Sequence, residues 1–243
     1  MTHHIFITGA SRGIGLGLLE HFLQKEKCKV YGLARSEAAL SHERYIHHSC
    51  DLSQLDVLPD QAISILPEVA AGDAVSLINN AGLLGEIGHM GRTDVSSLRE
   101  VMDVNVSAAA IMMDAFIRRY ARHQGKKVIL NISSGAGKRP VDGWAAYCAS
   151  KAALDMLSEV VATECAMDDN DIWVFAVAPG VVDTQMQSKI RSADAADFSN
   201  VQGFIDLKEN DQLSTAAQVA AKLEEVIEHP EEFTSVLLDV RDI

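Results

Sequence analysis

The sequence predicts an α/β fold in which helices cover both faces of a parallel β-sheet. Short runs of β-branched and other apolar residues alternate with longer segments whose apolar residues recur at helical spacing. The short runs are continuously apolar, which is typical of strands that are buried on both faces. At 243 residues the chain is long enough for one large core and short for two. We therefore expect a single domain over residues 1–243, with right-handed helical crossovers between its strands.

Seven apolar runs mark the strands, and five helical patterns fall between them. The predicted strands are 5–8, 30–34, 45–46, 75–78, 128–132, 172–177 and 236–238. The predicted helices are 14–27, 54–70, 97–123, 147–166 and 215–228. The 181–213 segment has no strand pattern, yet sizeable apolar side chains are scattered through it. Long excursions of this kind are usually lids or binding loops, so we predict a substrate lid at 181–213. A disordered insertion is the alternative, and it would leave those side chains exposed.

Composition and charge limit the classes of function. The chain has 21 Lys plus Arg against 34 Asp plus Glu, a net charge of −13, whereas binding to nucleic-acid phosphates requires a basic face. No apolar run approaches the roughly 18 residues of a membrane span, and the first residues lack a signal-peptide pattern. The 4 cysteines form no CxxC pair, which favours free thiols. We expect a cytoplasmic protein without a nucleic-acid or membrane partner.

A glycine-rich loop follows the first predicted strand and begins the first helix. Residues 8–15 read Thr-Gly-Ala-Ser-Arg-Gly-Ile-Gly. Glycine lets the backbone turn sharply and approach a pyrophosphate, and the free N–H groups of a helix N-terminus bind the anion. A structural turn is the alternative for an isolated glycine cluster, but the strand before it and the helix after it favour a dinucleotide site. The predicted cofactor contacts in this loop are Gly9, Ser11, Arg12, Gly13, Ile14 and Gly15.

The charges near this loop favour NADP(H) over NAD(H). NAD-binding proteins place a carboxylate about 20 residues after the glycines, where it accepts a hydrogen bond from the ribose 2′-OH. Here Arg35 stands at that distance from Gly15, and Arg12 lies inside the loop. An arginine can bind a 2′-phosphate with two hydrogen bonds, whereas a carboxylate would repel it. Glu37 is the residue that could still serve the 2′-OH of NAD.

Two further strand ends are predicted to contact the cofactor. Asp51 and Leu52 follow the third strand, where an acceptor for the adenine amino group is plausible; a helix cap is the alternative for Asp51. His47, His48 and Cys50 lie beside Asp51, but these metal-ligand types have no recurring spacing elsewhere, so no metal is predicted.

The fourth strand ends in Asn-Asn-Ala-Gly at residues 79–82. Small residues at this place let the backbone pass close to a cofactor, and the predicted contacts are Asn80, Ala81 and Gly82. An ordinary Asn-Gly type of turn explains the same pattern equally well.

Tyr147 and Lys151 form the candidate catalytic pair. They are four residues apart at the start of a helical pattern, so they share one helix face. A tyrosine has a pKa near 10, and an ammonium beside it favours the phenolate and brings that pKa towards the working range. Ser134 lies at the carboxyl end of the fifth strand, where ligands of parallel sheets bind. When Tyr-x-x-x-Lys occurs alone, two solvent-exposed side chains on one helix are its usual explanation. The glycine loop and Ser134 in the same chain favour a catalytic pair instead.

These motifs, taken together and in order, resemble those of the short-chain dehydrogenases/reductases over essentially the whole chain. The resemblance implies a Rossmann-like, doubly wound fold with a seven-stranded sheet, assembled into dimers or tetramers. It assigns proton donation to Tyr147, carbonyl orientation to Ser134 and ribose binding to Lys151. It further implies that Asn105 holds a water that relays protons to Lys151. The residues that it implies around the nicotinamide are Pro179, Gly180, Val182 and Thr184.

Residues 131–138, 143–148 and 178–187 resemble more narrowly the sepiapterin reductase branch, whose bacterial members include enzymes reducing benzil to (S)-benzoin. In sepiapterin reductases an aspartate in the last strand anchors the pterin, and Asp239 is the matching residue; an ordinary strand-end acid is the alternative. Trp144 either lines the substrate pocket or is a core or interface aromatic. The resemblance implies an NADPH-dependent reductase of a ketone or vicinal dicarbonyl. The alternatives are a non-catalytic NADP(H) sensor and an NAD-linked alcohol dehydrogenase.

Overall fold

A computed structural model describes residues 1–243, and its sheet contains the seven strands that the sequence predicts. The strands are β1 His3–Thr8, β2 Cys28–Ala34, β3 Tyr45–Ser49, β4 Ala74–Asn79, β5 Lys127–Ile132, β6 Trp173–Ala178 and β7 Leu237–Asp239. All are parallel, in the order β3-β2-β1-β4-β5-β6-β7. The order reverses between β1 and β4, which opens a crevice at the carboxyl ends of these two strands. The predicted Rossmann-like fold is confirmed.

Eight α-helices pack on this sheet. They are α1 Gly13–Leu23, α2 Leu58–Ile65, α3 Val95–Met102, α4 Ala108–Tyr120, α5 Ala145–Met167, α6 Gln185–Arg191, α7 Val201–Glu209 and α8 Ala216–Glu228. One core lies between the sheet and α1 with α8, and it centres on side chains such as Phe22 and Leu223. A second core lies on the other face, beneath α2, α4 and α5, around Phe116. Both faces are therefore covered, which is why the strands carry continuous apolar runs.

The structure corrects the limits of three predicted helices. The 14–27 helix ends at Leu23. The 54–70 helix is confined to α2, which ends at Ile65 because Leu66 precedes a proline and takes an extended conformation, with ψ of 98°. The 97–123 helix is divided into α3 and α4 by a π-helical turn at Asp103–Ser107.

The 181–213 segment folds into α6 and α7, so the alternative of a disordered insertion is wrong. Val182 pairs with Ser214 and joins the two ends of the segment. A third apolar cluster lies beneath it, in which Phe198 and Ile190 pack against residues at the start of α5. None of the helices combines the length and the apolar character that crossing a membrane requires.

Candidate active site

The glycine-rich loop forms a tight cradle between β1 and α1. Gly9 and Gly13 have φ of 68° and 56°, values that residues with side chains rarely adopt. A Cβ added to Gly15 would lie 2.2 Å from the Gly9 carbonyl oxygen, so α1 can begin this close to the loop only with glycine there. Ser11 is partly exposed. Ile14 lies in the first turn of α1 and packs against the core that α1 and α8 form with the sheet. No side chain caps the N-terminus of α1, which leaves its first N–H groups open to an anion. The cradle therefore fits the pyrophosphate of a dinucleotide.

Both arginines predicted to bind the cofactor lie beside this cradle. Arg12 is the N-cap residue of α1, and Arg35 directly follows β2. Both side chains are exposed, as is Glu37. The two cations are thus free to meet a phosphate, and the carboxylate of Glu37 is equally accessible.

Asp51 closes a turn at the end of β3. Its Oδ1 accepts hydrogen bonds from the Ser53 backbone N and Oγ, at 3.1 and 2.8 Å. These bonds, and more weakly the charge of Arg35, hold the pKa of Asp51 below its ordinary value. The next helix begins only at Leu58, so the alternative of a helix cap is wrong. Leu52 is buried beneath Asp51 in the second core. No group of three or more His, Cys, Asp or Glu is arranged to hold a metal ion.

The segment after β4 connects the cradle to the Tyr147–Lys151 pair. Asn80 Nδ2 donates to the Thr8 carbonyl oxygen at 2.9 Å. The backbone N–H groups of Asn80 and Ala81 both donate to Thr8 Oγ1 at 3.0 Å. A Cβ added to Gly82 would lie 3.5 Å from Lys151 Nζ. The segment therefore runs from the cradle to Lys151, and its contact with a cofactor stays a prediction.

Tyr147 and Lys151 lie one turn apart on the first part of α5. Only 7% and 3% of their surfaces are exposed. Lys151 Nζ lies 5.7 Å from the centre of the Tyr147 ring and donates to the Ile132 carbonyl oxygen at 2.7 Å. The pair is therefore fixed against the end of β5, where Ser134 follows two residues later.

Burial shifts the pKa of both groups. It raises the pKa of Tyr147 above its ordinary value, and the facing Ser134 hydroxyl opposes part of that rise. Burial also lowers the pKa of Lys151 to about 8, with a smaller opposing effect from Asp155. The prediction that the Tyr147 pKa is lowered is therefore wrong for the folded chain. Removing the phenol from water disfavours its charged form more than the Ser134 hydrogen bond favours it.

Asn105 lies in the π-helical turn between α3 and α4 and is buried. Its Nδ2 donates to the Leu83 carbonyl oxygen at 2.9 Å and to Ser150 Oγ at 3.0 Å. Its Oδ1 accepts from the Leu83 N–H at 2.7 Å. Both hydrogens of Nδ2 and one lone pair of Oδ1 are therefore engaged, which leaves the second lone pair of Oδ1 and the backbone of Asn105 for the predicted water.

Ser134 begins a short 3₁₀ turn at Gly135–Gly137, and its Oγ accepts from the Ala136 N–H at 3.2 Å. The preceding Ser133 donates its hydroxyl to Asp155 on α5. Sequence analysis overlooked Asp155, although its position four residues after Lys151 puts both on one helix face. Ser150 and Thr8, which hold the site through hydrogen bonds, were also overlooked.

The segment after β6 returns to the cradle. Gly180 follows Pro179 and has φ of 72°. Val182 is buried, and Thr184 is the N-cap residue of α6. The Thr184 methyl group would lie 3.4 Å from a Cβ added to Gly13. Of the residues predicted around the nicotinamide, Thr184 thus lies beside the glycine loop.

Trp144 connects the start of α5 to the 181–213 segment. Its ring stacks on Phe198 at a centroid distance of 5.1 Å and contacts Phe204 at 5.5 Å. On its other side it meets Tyr147 edge-on at 5.9 Å. Trp144 is therefore a buried aromatic that links Tyr147 to α7.

Asp239 ends β7 and is bound by Arg241 through one backbone and two side-chain hydrogen bonds. Arg241 Nε donates to Oδ1 at 2.8 Å and Nη2 donates to Oδ2 at 2.6 Å. This pairing holds the pKa of Asp239 below its ordinary value. Arg241 is itself 77% exposed, so the contact leaves both the substrate anchor and the strand-end acid open for Asp239.

Comparison with known proteins agrees with the Rossmann-like fold of the chain. The family described as short chain dehydrogenase matches residues 3–195. A solved short-chain dehydrogenase/reductase from Saccharomyces cerevisiae superposes with a TM-score of 0.86 at 28% identity, covering 99% of this chain and 96% of that one. The solved 4-hydroxyisoleucine dehydrogenase complexed with NADH has a TM-score of 0.81 at 25% identity, with 98% and 96% covered.

Among relatives, a benzil reductase ((S)-benzoin forming) of Bacillus subtilis is 34% identical, over 91% of this chain and 92% of its own length. A sepiapterin reductase of Xenopus laevis is 29% identical, over 91% and 89%.

The parallel sheet and its glycine cradle define the class of proteins that bind a dinucleotide. The comparisons narrow this class. The chain belongs to the short-chain dehydrogenase/reductase family, in the branch of the benzil and sepiapterin reductases.

Proposed function

We propose that the protein is an NADPH-dependent carbonyl reductase that reduces a ketone or a vicinal dicarbonyl, with Tyr147 as the proton donor. The observation that carries this proposal is the buried Tyr147–Lys151 pair held between the glycine cradle and Ser134. The relatives named benzil reductase and sepiapterin reductase support a substrate of this class.

The side chains of the site suit reduction at neutral pH. A bound dihydronicotinamide supplies the hydride. Tyr147 has a raised pKa and therefore stays protonated, so its hydroxyl is available to the carbonyl oxygen. Lys151, with a pKa of about 8, is mostly cationic at neutral pH and stabilises the charge that develops on the phenol oxygen. Ser134 donates a second hydrogen bond to the same carbonyl oxygen and orients it.

The positive charges of Arg12 and Arg35 beside the cradle support NADPH as the coenzyme. Arg12 and Arg35 are exposed cations placed near the ribose end of a dinucleotide in this fold. Glu37 is the observation that favours the second candidate, an NAD-linked dehydrogenase, and the related structure with NADH belongs to such a protein.

The 181–213 segment is proposed to cover the substrate. Its Phe198 and Phe204 pack on Trp144, which itself contacts Tyr147, so the segment would exclude water from the carbonyl.

A homo-oligomer, dimer or tetramer, is also proposed. Apolar side chains are exposed on α3 and α5, where Val95 is 78%, Met156 60% and Val160 44% exposed. Burial of such side chains against a second copy would remove them from water. A cytoplasmic location stays a prediction, supported by four free cysteines.

The proposed chemistry is tested with Tyr147→Phe. This change removes one hydroxyl from a buried ring, so coenzyme binding is expected to persist while turnover of benzil falls about 10²–10⁴-fold. NADPH oxidation is followed at saturating coenzyme with benzil, sepiapterin and aliphatic diketones, and binding by coenzyme fluorescence. Turnover equal to that of the wild type in Tyr147→Phe would disprove the role of Tyr147. Binding without turnover on every substrate in the wild type would instead favour a sensor.

Coenzyme choice is tested with Arg35→Ala. Loss of a charged pair with the 2′-phosphate is expected to weaken NADPH binding about ten- to a hundredfold and to leave NADH binding unchanged. Arg118→Ala, on the exposed face of α4, is the matched control. Equal weakening of both coenzymes, or equal wild-type affinity for them, would contradict the proposed phosphate contact.

A further inference from the structure

Two side chains of α5 hold consecutive residues at the end of β5. Lys151 Nζ donates to the Ile132 carbonyl oxygen at 2.7 Å. One helical turn later, Asp155 accepts a hydrogen bond from the hydroxyl of Ser133. Ser134 is the next residue, so the pair of contacts fixes the backbone from which Ser134 projects.

Asp155 is enclosed by the loop that carries Ser134. Asp155 is 6% exposed and Ser133 is 4% exposed. A Cβ added to Gly137 would lie 3.0 Å from Asp155 Oδ2 and 2.9 Å from the Lys151 carbonyl carbon. The glycine therefore lets the loop close over the carboxylate, and both ends of the 133–137 turn touch the same turn of α5.

Few charged groups act on this carboxylate. Lys151 and Glu159 face it from α5, and Lys138 faces it from the loop after Ser134. Burial raises the pKa of Asp155, whereas the Ser133 hydrogen bond and the two lysines lower it. Asp155 in turn is the charged group that raises the pKa of Lys151. A buried negative charge without this hydrogen bond and these cations would be strongly unfavourable.

We propose that Asp155 is a positioning residue of the site: it holds the Ser133–Ser134 end of β5 against α5 and, four residues after Lys151 on the same helix face, places a carboxylate one turn from the buried ammonium. This inference rests on the proposed function, in which Ser134 and Lys151 act on the carbonyl and the phenol. Asp155 is thereby added to the four predicted catalytic residues, Asn105, Ser134, Tyr147 and Lys151. Unlike a catalytic residue, it touches neither the substrate nor the coenzyme.

The hydrogen bond and the charge have separable effects. Asp155→Asn keeps an oxygen that accepts from Ser133 but removes the charge. Ser133→Ala removes the hydrogen bond and leaves a carboxylate that is ionised at alkaline pH. Glu164→Gln is the matched control, because it removes the same charge from an exposed position further along α5 that does not face Asp155.

The first readout is the pH profile of kcat. In Asp155→Asn the alkaline limb, which reports loss of the Lys151 proton, is expected to move about half a unit to one unit towards lower pH. In Ser133→Ala the limb is expected to stay in place, while kcat falls about tenfold at every pH because Ser134 is less well positioned. Glu164→Gln is expected to match the wild type.

A second readout does not need turnover. Unfolding by urea is measured for the wild type, Asp155→Asn, Lys151→Met and the double variant, at pH 7 and at about pH 10. The attraction between Asp155 and a protonated Lys151 predicts a favourable coupling at pH 7 that disappears above the Lys151 pKa. If no carbonyl substrate is reduced, the proposed function fails. The coupling free energy from urea unfolding still shows whether the Asp155 charge acts on Lys151.

The proposal is overturned if Asp155→Asn keeps the wild-type pH profile and the coupling is absent at pH 7. It is also overturned if Ser133→Ala retains full kcat, since the hydrogen bond would then not position Ser134. Both outcomes differ from simple misfolding, which would lower activity equally at all pH values and weaken coenzyme binding.

Discussion

Lys126 and Lys151, two lysines at opposite ends of the sheet, have different hydrogen-bond partners. At the amino end, Lys126 Nζ donates to Glu228 Oε2 at 2.7 Å, and His3 lies 3.0 Å from the other oxygen of Glu228. These contacts, with the His3 hydrogen bond as the largest effect, lower the pKa of Glu228 to about 2. At the carboxyl end, Lys151 has a backbone carbonyl as its hydrogen-bond partner, and burial lowers its pKa to about 8.

The difference separates a stabilising cluster from a functional one. The contacts at the amino end favour the ionised form of Glu228 in the folded state, which is why its folded pKa is lowered and why it stabilises the fold near neutral pH. An incompletely compensated buried ammonium disfavours the folded state. Groups with pKa values shifted by burial concentrate at functional sites, which agrees with the place of Lys151 beside the cradle.

The largest expected effect follows from Lys151→Met. At neutral pH, turnover is expected to fall about 10²–10⁴-fold. Stability at pH 7 is expected to rise by up to about 3 kcal/mol, since the pKa of Lys151 falls from 10.5 when unfolded to about 8 when folded. Because the folded pKa is the lower one, the penalty is complete below about pH 8 and disappears as the pH rises towards 10.5.

Urea unfolding of Lys151→Met and the wild type at several pH values measures this difference. A variant that is less stable than the wild type at pH 7 would contradict the conclusion that the buried ammonium is a cost.

A smaller and opposite effect is expected for Glu228→Gln. The folded pKa of Glu228 is depressed, so its contribution is present above about pH 4.5 and is lost as the pH falls towards about 2. Because 36% of the side chain is exposed, solvent screening reduces the expected loss at pH 7 to about 1–2 kcal/mol. Turnover is expected to stay unchanged, since Glu228 lies at the opposite end of the sheet.

The matched control is Asp114→Asn, which breaks the exposed 2.7 Å pair with Arg118 on α4 and is expected to leave Tm unchanged. An equal loss of stability in both variants would show that burial does not distinguish the amino-end cluster.

The fold was predictable because its main signals are local. Seven continuous apolar runs correspond to the seven strands, and the glycine loop lies at the end of β1 as expected. The four-residue spacing of Tyr147 and Lys151 was sufficient to put them on one helix face. The helix limits were less predictable, and Leu66 illustrates the reason: the effect of the following proline competes with an otherwise helical pattern.

Much of the site depends on contacts between residues far apart in the chain. Ser133 and Asp155 are 22 residues apart, and neither neighbourhood indicates the hydrogen bond between them. Trp144 meets Phe198 only because the 181–213 segment folds back over α5. The π-helical turn that contains Asn105 has no pattern that distinguishes it from the helices on either side.

The order of the residues alone was enough to predict the class of fold, the cradle and the pair on α5, because each follows from spacing along a strand, a loop or a helix. The direction of the Tyr147 pKa, the turn closed by Asp51 and the pairing of Asp239 with Arg241 required the folded chain. Burial and orientation decide these properties, and both are set by packing between elements rather than by neighbours in sequence.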